Sequence, residues 1–127
     1  MNAQGSQNLY LLVKESKALG FLKTGDKQLY ISRGEMVRIT PRCVLDFYVH
    51  ESLQRQGVGQ ALFEFMLQYE RKEAHQFAYD RPSNKLLGFL RKYYNLSRYS
   101  PQVNNFVIYD EYFNKPKPAI AKKTTQQ

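Results

Sequence analysis

The residues best placed to do chemistry in this sequence are Gln54-Arg55-Gln56-Gly57-Val58-Gly59, because of what stands on either side of them. Before them runs Cys43-Val44-Leu45-Asp46-Phe47-Tyr48-Val49, apolar, β-branched and aromatic, which reads as a buried strand. After them, Gln60 to Lys72 reads as an amphipathic helix. A strand that turns through glycines into a helix collects unpaired backbone N–H groups at the positive end of the helix dipole. Such a turn binds a phosphate or pyrophosphate without a basic side chain, and glycines let the backbone approach the anion closely. Two further side chains are reactive in type. Asp80 ends a short apolar run, at the carboxyl end of a strand where ligands collect in open α/β sheets; an aspartate before Arg81-Pro82-Ser83 is also an ordinary turn or cap residue. Cys43 alternates with Leu45, Phe47 and Val49, so a buried, inert thiol is its default reading.

Other chemistries fit less well. A dinucleotide fingerprint needs a third glycine where Leu62 stands, and a nucleoside-triphosphate loop needs Gly-Lys-Ser/Thr. Cys43, His50 and His75 match no zinc-ligand spacing, and no metal is expected. A single cysteine excludes an internal disulfide and fits a reducing cytosol. No apolar run reaches the roughly eighteen residues of a membrane span, and the N-terminus has no signal-peptide pattern. Of the net charge of +8, half comes from Lys115, Lys117, Lys122 and Lys123, in a segment without acids; residues 114–127 are expected to form a disordered basic tail after a domain at 1–113. A second basic cluster, Arg81, Lys85, Arg91, Lys92 and Arg98, reads either as a solvated helix face or as attraction to phosphates and to an acidic protein surface. No nucleic-acid-binding signature accompanies it.

The elements that must position these residues follow from periodicity. Leu9 to Lys14 and Leu19 to Lys23 read as strands, Thr24 to Lys27 as a turn, and Gln28 to Ser32 as a return strand of one antiparallel meander. Arg33 to Pro41 reads as a polar connection. In the helix after the glycines, Ala61, Leu62, Phe65, Met66 and Tyr69 are expected to face the sheet, with Glu64, Gln68, Arg71 and Lys72 outward. His75 to Tyr79 reads as a strand parallel to the central one, since a crossover helix joins them. A second helix follows, with Pro82 in its first turn, Ser83 as a cap and Leu86, Leu87, Phe89, Leu90, Tyr93 and Tyr94 on its buried side. Gly88 within it costs about 1 kcal/mol against alanine, which close approach of a ligand would offset. Val103 to Tyr109 is a last strand. The order β-β-β-β-α-β-α-β makes one mixed α/β domain in 127 residues.

From Cys43 to Asp110 the sequence resembles the α-tubulin N-acetyltransferases, a branch of the GCN5-related N-acetyltransferase (GNAT) superfamily. The resemblance rests on Cys43 to Ser52 running into Gln54-Arg55-Gln56-Gly57-Val58-Gly59, on His75-Gln76, on Asp80 to Leu87, and on Pro101-Gln102-Val103-Asn104-Asn105-Phe106-Val107-Ile108. It implies a mostly antiparallel mixed sheet, splayed at a central parallel strand pair and flanked by helices. It further implies acetyl-coenzyme A as cosubstrate, direct transfer to a lysine of α-tubulin in microtubules, and a monomer working in the cytoplasm on the cytoskeleton, cilia included. Asp80 and Cys43 match the residues implicated in catalysis, Asp80 as proton acceptor and Cys43 in a relay or in shaping the site. Coenzyme contacts carry over to Phe47-Tyr48-Val49-His50-Glu51-Ser52-Leu53-Gln54-Arg55-Gln56-Gly57-Val58-Gly59-Gln60 and to Ser83-Asn84-Lys85-Leu86-Leu87-Gly88-Phe89-Leu90-Arg91-Lys92.

Among these, Arg55, Lys85 and Lys92 are the expected phosphate partners, and Asp46 and Arg81 the substrate contacts, with a local salt bridge as their alternative. Because five residues of strand span about 17 Å, a pyrophosphate on the loop would leave the thioester near Leu45 to Cys43. Lys92 to Leu96 resembles the superfamily's tyrosine segment, with core tyrosines as the safer reading. The sequence departs from the family in lacking its N-terminal strand and two helices, and with them a glutamine of the relatives' active sites that Gln4 or Gln7 would replace only by accident. A silent coenzyme- or microtubule-binding module and a general lysine acetyltransferase are therefore the alternatives to a tubulin acetyltransferase.

Overall fold

The computed structural model of the chain describes residues 7–114. Strand β1 (Asn8–Lys14) turns at Glu15 and Ser16, both with positive φ (52° and 66°), into β2 (Lys17–Asp26), the tight connection that suits the twist of an antiparallel pair. A hairpin of β3 (Leu29–Arg33) and β4 (Glu35–Ile39) follows, hinged at Gly34 with φ 81°. The central strand β5 (Arg42–Val49) leads through a 3-10 turn at Glu51–Leu53 into α1 (Val58–Glu70). Next come β6 (Phe77–Asp80), α2 (Asn84–Tyr94), β7 (Phe106–Ile108) and a short α3 (Asp110–Asn114). The main sheet has five strands in the order β1-β2-β5-β6-β7, and the β3–β4 hairpin is a separate two-stranded sheet. All pairs in the main sheet are antiparallel except β5 with β6, as the crossover through α1 requires.

The sheet has a helix face and a hairpin face. On the helix face, Leu22, Val44, Phe77, Tyr79 and Val107 pack with Leu62, Phe63, Met66, Leu67 and Leu90 of the two long helices. On the hairpin face, Cys43, Ala78 and Ile108, side by side on β5, β6 and β7, pack under Leu29 and Ile31. Opposite Lys23 and Thr24 of β2 stand Asp46 and Val44, so Leu45 is one residue too many on β5. This bulge reverses the alternation beyond it. Phe47 therefore joins the helix-side core, against Phe63 and Phe89 at ring-centroid distances of 5.8 and 6.0 Å, while Cys43 and Leu45 stay on the hairpin side. The expectation that Cys43 and Phe47 share a face is corrected by that single extra residue.

Other local expectations also shift. Residues 24–26 continue β2, moving the turn to residues 27–28, and β3 leaves the expected meander to pair with the unanticipated β4. On α1 the buried stripe is Leu62, Phe63, Met66 and Leu67, whereas Phe65 and Tyr69 are exposed at 58% and 67% and Ala61 also faces solvent. Residues 74–76 form a 3-10 turn before β6, Tyr93 is exposed, and Pro82 precedes the Ser83 cap rather than entering the helix. β7 is confined to three residues, with Val103 89% exposed ahead of it. Asn114 closes α3 instead of opening the tail; the rest of the expected tail lies outside the described residues.

Candidate functional site

β5 and β6 pair only through Arg42–Phe77, Cys43–Ala78 and Val44–Tyr79. Beyond that point β6 ends at Asp80 and the chain turns away at Arg81, held at φ 45°, while β5 runs on to Val49 beside β2 alone. The edge of Leu45–Val49 that faces the gap thus has no strand partner among the described residues, and Asp80 stands where a partner of Leu45 would be.

The glycine loop closes the far end of this gap. Gly57 caps α1 with φ 79°, a conformation that side chains resist, and no side chain caps the helix. The first intrahelical bond runs from the Ala61 N–H to the Gly57 carbonyl at 3.0 Å, so the Val58, Gly59 and Gln60 amides have no carbonyl one turn back. Gly59 lies over β5, where a Cβ would make ordinary contacts with Val49 Cγ2 at 3.6 Å and Phe47 Cζ at 3.8 Å. Gln54 binds the pieces together. Its Nε2 donates to the Val49 carbonyl at 2.8 Å, and its Oε1 accepts from Lys85 Nζ at 3.1 Å, which brings the start of α2 beside the loop. Arg55, exposed, has φ 68°, so this loop stores backbone strain next to its bare amides.

Ser83 caps α2 by accepting the Leu86 N–H at 3.1 Å, and Gly88 faces open space, where a Cβ would meet nothing within 4 Å. Leu86, Leu87 and Phe89 pack into the helix-side core and Leu90 is fully buried there, while Asn84, Lys85, Arg91 and Lys92 are exposed. Lys92 sits at the other end of α2, with Nζ 5.2 Å from the Tyr93 ring centroid, and is not drawn to the loop as Lys85 is. His50 Nδ1 accepts the Ser52 N–H at 3.1 Å and so holds the turn of residues 51–53; Tyr48, Glu51, Ser52 and Gln56 are exposed and Leu53 is partly covered. Asp46 and Arg81 are exposed and enter none of the ion pairs among the described residues.

Cys43 is fully buried, its Sγ 3.5 Å from the Pro41 carbonyl oxygen. Burial, with Asp26 and Asp80 nearby, pushes its thiol up to about 12, so at neutral pH it is a neutral, packed group. Tyr94 donates its hydroxyl to Glu64 at 2.6 Å, and burial followed by that carboxylate raises its pKa. It faces a cleft of about 530 Å³ lined by Glu64, Arg71, Glu73, His75, Leu96 and Glu111, which contains neither Asp80 nor any loop residue. Gln7 lies against Gly25 of β2 and the Leu45 side chain, with Cγ 3.1 Å from where a Gly25 Cβ would be; Gln4 lies outside the described residues. Among the described residues no group of three or more His, Cys, Asp or Glu could hold a metal ion.

The sequence reading missed a polar cluster under the other end of α1. Glu70, 5% exposed, receives Tyr10 OH at 2.6 Å, Thr24 Oγ1 at 2.5 Å, Asn8 Nδ2 at 3.2 Å and Arg42 Nε at 2.8 Å. Arg42 also reaches Asp26 at 3.3 Å. Burial alone would raise the Glu70 pKa, but these hydrogen bonds outweigh it and hold the carboxyl below its usual range. The available signal was a carboxylate one turn beyond Met66 on the apolar stripe.

A family model described as GNAT acetyltransferase, Mec-17, matches residues 1–127. The chain belongs to this family. It is 51% identical over 109 residues to the alpha-tubulin N-acetyltransferase of Tetrahymena thermophila, covering 84% of this chain and 27% of that protein. Against the alpha-tubulin N-acetyltransferase of Leishmania infantum the identity is 50% over 110 residues, 84% of this chain and 45% of the relative. The protein of that name from Anopheles gambiae is 50% identical over 112 residues, covering 23% of its own length. The chain therefore spans less than half the length of these relatives. As a Mec-17 family member it has the GNAT architecture expected of it: a mixed sheet, largely antiparallel, with one parallel pair and flanking helices.

Proposed function

We propose that this chain transfers an acetyl group from acetyl-coenzyme A to a lysine of α-tubulin. The observation that carries the reading is the pairing of bare amides at the start of α1 with an unpaired β5 edge ending opposite Asp80. An anionic diphosphate would take the amides of residues 55–60, with Arg55 and Lys85 adding charge-assisted bonds. An extended amide-bearing arm would pair with the backbone of Leu45–Val49 short of the Val49 carbonyl, which Gln54 Nε2 already occupies. The residues present fit such a cosubstrate: Gly57 and Gly88 leave space, and Lys85 is already turned toward the loop. The relatives named for tubulin acetylation support the acceptor.

The acceptor ammonium, with an ordinary pKa near 10.4, must lose a proton before its nitrogen attacks the thioester carbonyl. Asp80, at the mouth of the gap, is the group to receive it. The developing oxyanion needs a donor, and a β5 backbone N–H near Leu45 that the arm leaves bare would supply it. Cys43 shapes the floor: a thiol held near 12 is a poor nucleophile, which supports direct transfer over an acetyl-cysteine intermediate. Tyr94, committed to Glu64, is not the acid for the departing thiolate. Asp46 and Arg81 flank the gap as exposed charges suited to touch the acceptor. Action on microtubules, cilia included, follows from this substrate; among the described residues no helix is long and apolar enough to cross a membrane. Incubation with labelled acetyl-coenzyme A, polymerised tubulin and histones tests the reading. Label on tubulin is expected, whereas label on histones alone would remove the substrate assignment.

A further inference from the structure

The β3–β4 hairpin is a two-stranded sheet, marginal by itself. Its apolar side, Leu29 and Ile31, rests on Cys43, Ala78 and Ile108, and Arg33 of the hairpin lies 3.9 Å over the Phe113 ring; the side-chain hydrogen bonds that tie it to the loop before β7 come from a pair of amides. Gln102 Oε1 accepts the Ser32 N–H at 2.9 Å, and its Nε2 donates to the Ser32 carbonyl at 3.3 Å, so one side chain occupies both backbone groups as a neighbouring strand would. Asn104 Nδ2 donates to the Tyr30 carbonyl at 3.4 Å, while its Oδ1 accepts the Phe106 N–H at 3.0 Å. The same loop grips the reactive end of β6: Asn105 N–H donates to the Gln102 carbonyl, and the Asn105 carbonyl accepts the Arg81 N–H, both at 3.2 Å. A continuous path thus runs from the hairpin backbone through Gln102 and Asn105 to the residue after Asp80.

The helix side of the gap is filled by Phe47, Phe63 and Phe89 and closed by the glycine loop. An acceptor meeting a thioester delivered from that loop must come from the hairpin side, since both reactants have to be held in line at one carbonyl. We propose that Gln102 and Asn104 are positioning residues, fixing the β3–β4 hairpin against the end of β6 and so setting the width of the opening through which an acceptor lysine reaches Asp80. This inference rests on the acetyltransferase reading above.

The test compares the full chain with Gln102→Ala and Gln102→Glu, both at a partly exposed position that leaves the core intact. Glutamate keeps an acceptor for the Ser32 N–H but sets a carboxylate oxygen against the Ser32 and Ser100 carbonyls, so its effect should match or exceed that of alanine. For Gln102→Ala, KM for polymerised tubulin should rise about fivefold to tenfold while kcat and calorimetric coenzyme affinity stay within about twofold. Hydrogen exchange at the Ser32 amide should speed up by about tenfold. An active wild-type chain with an unmoved KM in the alanine variant would overturn the positioning role alone. Unchanged Ser32 exchange would show that the clamp is not closed in solution. A wild-type chain that binds coenzyme without acetylating tubulin would instead overturn the activity reading, and this role with it.

Discussion

The two ends of α1 are built on opposite principles. At its start, a left-handed glycine, a strained Arg55 and the bare amides of residues 58–60 leave polar groups unsatisfied. At its end, Glu70 is almost sealed from solvent and each carboxylate oxygen is bonded to its neighbours on β1, β2 and β5. A helix cannot hold an anion with groups it has already spent on itself, and it cannot hold its place with groups it leaves bare. The satisfied end anchors the element, and the unsatisfied end keeps the donors that the proposed anion would take.

The sharpest way to break this contrast is Glu70→Ala, which leaves Arg42 buried without its closest anion. A loss of about 3–5 kcal/mol in urea unfolding is expected, with coenzyme affinity of the folded fraction barely changed. Gly57→Trp should do the reverse: binding weaker by about a hundredfold or more in calorimetry, with a smaller cost of about 1–2 kcal/mol in stability from the forced positive φ. Unchanged affinity there would refute the loop assignment. Asp80→Asn should lower kcat by about a hundredfold and leave coenzyme binding nearly intact; a pH–rate profile indistinguishable from wild type would take the aspartate out of the base role.

The pH dependence of stability separates the ends as well. Because the folded Glu70 carboxyl is held below its usual range, its contribution is present above the ordinary carboxyl pKa and is lost as pH falls through the folded value. Glu70→Gln should therefore flatten acid unfolding, while Gly57→Trp should leave its slope alone. Smallest of all, Cys43→Ala should cost about 1 kcal/mol and keep turnover within about threefold. Loss of all activity in a folded variant would show that the thiol does more than fill space.

The glycine loop was legible because its signal is local: an alternating apolar run, two glycines and a helical period within thirty residues. The parallel β5–β6 pair followed from the crossover rule, since an intervening helix leaves little choice. Strand β4 was not legible. Its residues 35–39 have no fully buried side chain, and Glu35 and Arg38 interrupt its apolar residues within a connection that is otherwise polar, so only pairing with β3 across Gly34 makes it a strand. The buried side of α1 was misjudged for a related reason. Phe65 is as apolar as Phe63, and the ring of Tyr69 also suits a core; the choice of face depends on where β1 and β5 lie.

By itself, the sequence determined the glycine loop with its bare amides, the strand that precedes it and the aspartate that ends the neighbouring strand, because each is encoded by residues adjacent in the chain. The tertiary structure alone decided that a single bulge at Leu45 sends Cys43 to one side of the sheet and Phe47 to the other. It also decided that Glu70, Arg42, Thr24 and Tyr10 meet, and that Gln102 reaches Ser32. These are contacts between residues 18 or more apart in the chain, and no local pattern specifies them: which polar groups find each other is settled only when the core has closed and left them no water to bond instead.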